Sequence, residues 1–113
     1  MLWTSLWRDF QPISPPDGKP LIALVRLIDV DAAQIPAAVE LDTIWVINDP
    51  DVWESAFTNE PLPPRPDYEL ERIARDGPKW GPGIAVDVVV GVSFGTGVLH
   101  QVQARAQMIG RTD

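Results

Sequence analysis

The chain has 113 residues, room for one domain with its own core, and its 45% apolar and 22% charged residues suit a globular protein. A formal charge of −7 disfavours phosphate backbones and anionic membrane surfaces, so no nucleic-acid partner is expected. The absence of cysteine excludes disulfides, thiolate nucleophiles and cysteine-based zinc sites, while twelve prolines point to loops and edge strands rather than long helices.

Leu2, Trp3, Leu6, Trp7 and Phe10 share one helical face, which predicts a short amphipathic helix over residues 1–11. A strand with Trp3, Ser5 and Trp7 on one side is the alternative. The same segment lacks the basic start, continuous apolar run and cleavage site of a signal peptide. The compartment stays open, and an extracytoplasmic one fits if the chain is an excised mature domain. Residues 12–20 are turn material with a Pro-Asp-Gly signal. Residues 21–30, rich in Val, Ile and Leu on both parities, read as a central strand covered on both faces.

Residues 39–47 read as a second strand, with Val39, Leu41, Thr43, Trp45 and Ile47 on one side and Trp45 placed in the core. Residues 48–57 suggest a short helix, capped by Asn48 or Asp49, with Pro50 at the first helical position. A strand is again the competitor. Residues 59–67 form a proline-rich, extended connector. Residues 67–77 suit a helix with Asp67 as its cap and Gly77-Pro78 as its stop.

The C-terminal third carries the clearest pattern. Residues 84–94 and 98–109 alternate, and Gly95-Thr96-Gly97 between them suits a tight loop with positive φ, so a long antiparallel hairpin is expected. One face carries Val98, His100, Val102, Ala104, Ala106 and Met108. Taken together, these elements predict a mainly β fold. The expected form is an antiparallel β-sandwich, immunoglobulin-like or transthyretin-like in general architecture, with one to three short helices. An α+β fold is the alternative if both central helices form. Residues 1–113 are expected to be a single domain. No apolar run reaches the roughly 18 residues of a membrane span, so no membrane insertion is expected.

Chemistry is sparse. His100 is the only histidine, and no partner for acid–base work can be nominated, so no catalytic residue is assigned. Gly91-Val92-Ser93-Phe94-Gly95 matches G-x-S-x-G. That elbow, however, needs a strand-to-helix turn in a large α/β sheet, and here a strand follows. Asp29, Asp31, Asp49 and Asp51 are weak candidates for a hard cation, without EF-hand spacing. No cofactor is implied. Pro61-Leu62-Pro63-Pro64-Arg65 could dock on an aromatic groove. Trp80, next to Lys79 in the turn 76–83, and Trp3 and Trp7 are candidate contact residues among five tryptophans. The leading expectation is a non-enzymatic binding or interaction module whose partner is another protein or a second copy of itself. A small-ligand or carbohydrate-binding domain using exposed Trp and acidic loops is the alternative. A small hydrolase using Ser93 and His100 ranks last.

Overall fold

The computed structural model describes residues 1–95, 97 and 99–113. The described residues form strands β1 (Leu2–Asp9), β2 (Leu21–Ile28), β3 (Glu40–Asn48), β4 (Asp51–Ala56), β5 (Glu69–Gly77), β6 (Ala85–Ser93) and β7 (Leu99–Thr112). They make one mixed sheet of seven strands in the order β4-β3-β6-β7-β1-β2-β5. Every pairing is antiparallel except that of β1 with β7. The sheet curls into a half-barrel, so its core lies within the curve and not between two facing layers. This corrects the expected sandwich.

The predicted β6–β7 hairpin is present. Ser93 pairs with Leu99 at one end and Ala85 with Met108 at the other. Gly95 and Gly97 take φ of 80° and 78°, a region that a side chain disfavours. Thr96 and Val98, which the sequence placed in the loop and on the apolar face, lie outside the described residues. The strand expected at 21–30 is β2 and that at 39–47 is β3.

All three predicted helices are absent from the described residues and replaced by strands. Residues 1–11 contain β1, residues 48–57 contain β4 and residues 67–77 contain β5. Each segment is short, and an isolated helix of that length is marginal in water. Strand pairing on neighbours supplies every second backbone hydrogen bond and buries one side of the pleat, so tertiary pairing overrides the local helical spacing.

The inner face collects Leu6, Leu21, Ala23, Val25, Val39, Leu41, Ile44, Val46, Ala74, Val86, Val88, Val90, Val92 and Ile109, each at most 5% exposed. Burying a side chain of this size contributes roughly 1.5–3 kcal/mol. Strict alternation would not produce this set. On β3, Leu41 pairs with Val92 and Thr43 with Gly91, so Asp42 is an extra residue. Beyond it, Ile44 and Val46 point inward and Trp45 outward, which corrects the expected core position of Trp45. On β7 the extra residue lies at Arg105–Ala106, where Ala106 has φ 53° and donates its N–H to Asp87 Oδ1 at 2.9 Å. The inward set then passes from Val102 and Ala104 to Gln107 and Ile109, leaving Met108 59% exposed. A third bulge lies between Ala74 and Gly77 on β5. Bulges add local twist and bend, and these three curl the sheet.

The two end strands approach where Trp53 of β4 lies on Gly77 of β5. Just beyond β4, the N–H of Thr58 donates to Ile73 O at 2.9 Å, and Arg75 grips Glu60 at 2.8 and 2.9 Å. The proline segment thereby follows the outer edge of β5. A Cβ on Gly77 would stand 2.7 Å from the Trp53 ring. Gly77→Ala should therefore lower stability by about 1–3 kcal/mol in urea unfolding, through the overpacking that the extra methyl forces.

At one end of the half-barrel, here called the base, sits Arg8, 3% exposed and on the inner face of β1. Its Nε donates to Lys19 O at 2.9 Å, and its Nη1 to Gly81 O at 2.8 Å and Lys79 O at 3.2 Å. Its Nη2 donates to Asp17 O. One guanidinium thus ties the β1–β2 loop to the β5–β6 loop. Arg8→Ala would leave four loop carbonyls without this donor. We expect a loss of about 1–3 kcal/mol in urea unfolding. Arg8→Lys should recover only part of it, because an ammonium lacks the planar fork.

Candidate functional site

The residues singled out by sequence do not converge. Trp80 and Lys79 stand at the base. Trp80 is half-buried and packs against the core cluster. Lys79 Nζ donates to Asp17 Oδ1 at 2.9 Å. Trp3 and Trp7 share the outer face of β1. The Arg26 guanidinium covers the Trp3 ring at 4.1 Å and pairs with Glu71, while Trp7 lies between Ile22 of β2 and Gly110 of β7. Arg65 on the proline segment is paired with Glu69 at 2.6 Å.

The other candidates are equally dispersed. His100 meets the edge of the Phe94 ring at 4.8 Å, and Ser93 Oγ takes a long 3.5 Å contact from the Gly95 N–H. No hydrogen bond joins Ser93 to His100 among the described residues. Asp29 Oδ1 accepts the N–H groups of Asp31 at 2.9 Å and Ala33 at 3.3 Å, which is turn-forming work. Asp49 and Asp51 flank Pro50 in the β3–β4 turn and are exposed. Among the described residues no group of three or more His, Asp or Glu is placed to hold a metal ion. Among the described residues no helix is long and apolar enough to cross a membrane.

Three hollows compare instructively. The largest, about 420 Å³, lies between the proline segment and β5. Its charged lining is already engaged internally: Glu60 with Arg75, Arg65 with Glu69, Arg72 with Glu40, and Glu71 with Arg26. The Arg75 fork holds the Glu60 carboxyl below the ordinary carboxylate range. A shallow hollow of about 260 Å³ on the outer face runs beside Trp45, whose ring rests on Gly91 and whose Nε1–H donates to Glu54 Oε1 at 2.6 Å. That aromatic ring therefore covers bare backbone.

The third hollow differs in kind. At the end opposite Arg8, here called the mouth, a cleft of about 310 Å³ opens between Met1, Leu27, Val30, Ile35, Val39 and Phe94. Leu27, Ile35 and Val39 belong to the core or pack against it. Met1, Val30 and Phe94 are 62%, 75% and 45% exposed. Surface hydrophobics are usually scattered singly, so a group continuous with the core is informative.

Local structure holds this mouth open. Beyond β2 the Asp29 turn, with Ala32 at φ 58°, folds the chain back. The N–H of Asp29 donates to Tyr68 O at 3.0 Å and that of Ile35 to Asp67 O at 2.9 Å, which pins both ends of the loop to the chain entering β5. The N–H of Val39 reaches Pro36 O at 3.0 Å. Across the mouth, a Cβ on Gly95 would lie 3.0 Å from Ala38 Cβ, so the two rims touch there. Sequence reasoning had no handle on this site. Its walls come from four distant stretches, and the available sign was weak: Val30 and Phe94 are apolar residues just past strand ends.

With this geometry described, comparison of the chain with protein-family models, curated proteins and solved structures found no match.

Electrostatics at the base gives a pH test. The hydrogen bond from Lys79 holds the exposed Asp17 carboxyl below its ordinary value of 3.8. A carboxyl depressed in the folded state stabilises above its unfolded value, and that contribution is lost as pH falls through the folded one. The difference in urea midpoint between the native chain and Asp17→Asn should hold steady from neutrality to about pH 5 and shrink below about pH 4.

Proposed function

We propose that this protein is a non-enzymatic binding module that receives an apolar group at the mouth of its curled sheet. The observation that carries this reading is the mouth cleft of about 310 Å³, with Met1, Val30 and Phe94 exposed at its rim and core residues at its floor. Small-molecule and side-chain sites favour the mouths of β-barrels, and this volume lies at the lower end of their range. Burying the rim on a partner returns the apolar surface that folding leaves in water. The backbone bonds across the loop 29–38 preform the cleft, which lowers the entropic cost of binding.

Among the described residues the mouth holds no arrangement of nucleophile and base. The ring of His100 at its flank contacts Phe94, and Asp29 Oδ1 is taken up by backbone N–H groups. These contacts favour binding over turnover.

An uncharged, environment-sensitive probe such as N-phenyl-1-naphthylamine tests the reading. It should bind the native chain saturably, with enhanced emission. Val30→Gln combined with Phe94→Gln should weaken it by roughly fivefold or more. Val52→Gln removes an apolar side chain, 56% exposed, from the outer face and should leave the titration unchanged. Equal titrations for all three proteins would overturn the proposal.

A further inference from the structure

We infer that the group received at the mouth is an apolar side chain of a partner protein, carried on a segment flanked by lysine or arginine. This rests on the mouth reading proposed above and adds the chemistry of the occupant. The first ground is charge. Between Leu27 and Pro64 the chain holds no Lys or Arg, and this stretch supplies most of the mouth. Asp29 lines the cleft, Asp31 is exposed beside it, and Glu40 follows Val39 at the rim. Among the described residues no Lys or Arg side chain lines the cleft. The α-ammonium of Met1, which donates to Ile28 O at 2.8 Å, offsets one of these charges, and Arg72 offsets Glu40 at 3.2 Å, which leaves the rim net acidic through Asp29 and Asp31. Such a rim opposes fatty acids, phosphates and anionic vesicles, and draws in cationic groups.

The second ground is shape. The cleft has room for one or two side chains, yet Met1 and Val30 on its rim are 62% and 75% exposed, so apolar surface continues outward from it. A polypeptide segment fills both, placing an apolar side chain in the cleft and its basic neighbours over the acids. A second copy of this chain is a poor occupant, because it would bring another −7 and the same acidic rim.

Three fluorescein-labelled peptides provide the test. All share a Leu-Phe-Leu centre, flanked on each side by two lysines, two glutamines or two glutamates. Fluorescence anisotropy at 20 mM salt should show the lysine peptide binding about tenfold tighter than the glutamine peptide, with the glutamate peptide weakest. At 300 mM salt the preference should fall to about threefold or less, as the rim charges are screened. Asp29→Asn with Asp31→Asn, which keeps a turn-forming oxygen at position 29, should narrow the lysine-to-glutamine ratio towards one. If the three peptides bind equally, or the glutamate peptide binds best, while the naphthylamine probe still binds, the cationic partner is wrong and the mouth reading survives. If the probe binds and no peptide does, the peptide occupant is wrong. If the probe also fails, both readings fall.

Discussion

The guanidinium of Arg8 is the constraint on which the base of the molecule depends. A charge 3% exposed is costly to bury, and here the carbonyls of Asp17, Lys19, Lys79 and Gly81 offset that cost. Those carbonyls sit in proline- and glycine-rich loops without strand partners of their own, so they need a donor as much as the guanidinium needs acceptors. Phe10 stacks on Arg8 at 5.0 Å and on Arg111 at 4.1 Å, which brings the last strand to the same point. Beside it, β1 and β7 form the only parallel pairing among the described residues, the seam that joins two antiparallel halves into one sheet.

With the base tied, the bulges decide the rest. Each extra residue exchanges the faces of its strand, and the sheet curls because the exchange occurs on β3, β5 and β7. The same shift that buries Ile44 and Val46 turns Trp45 out over Gly91. Towards the mouth β6 keeps its phase, so Val92 finishes the core while Phe94, two residues on, stands past the last strand pair at the rim. The two ends of one inner surface thus meet different fates. One is plugged by a satisfied cation, and the other is left apolar and open.

Much of the β content was legible. The β6–β7 hairpin could be read because its alternation is long and its loop glycines demand positive φ, and β2 because ten residues are apolar on both parities. The helices proposed for residues 1–11, 48–57 and 67–77 failed for one reason. Over eight or nine residues, apolar positions at helical spacing, such as Leu2, Trp3, Leu6 and Trp7, also distribute over the two faces of a strand, and only neighbours choose between the two. The mouth was not legible at all. Met1, Val30, Ile35 and Phe94 share no spacing, whereas Trp3, Trp7 and Trp80 drew notice by residue type.

By itself, then, the sequence determined a β-rich chain, its acidic character, the position of its turns and the absence of cysteine chemistry, since these follow from composition and from interactions between near neighbours. The tertiary structure decided the curl, the parallel seam, the burial of Arg8 and the location of the open mouth. Each of these depends on register between strands far apart in the chain, and one inserted residue reverses which side chains face the core.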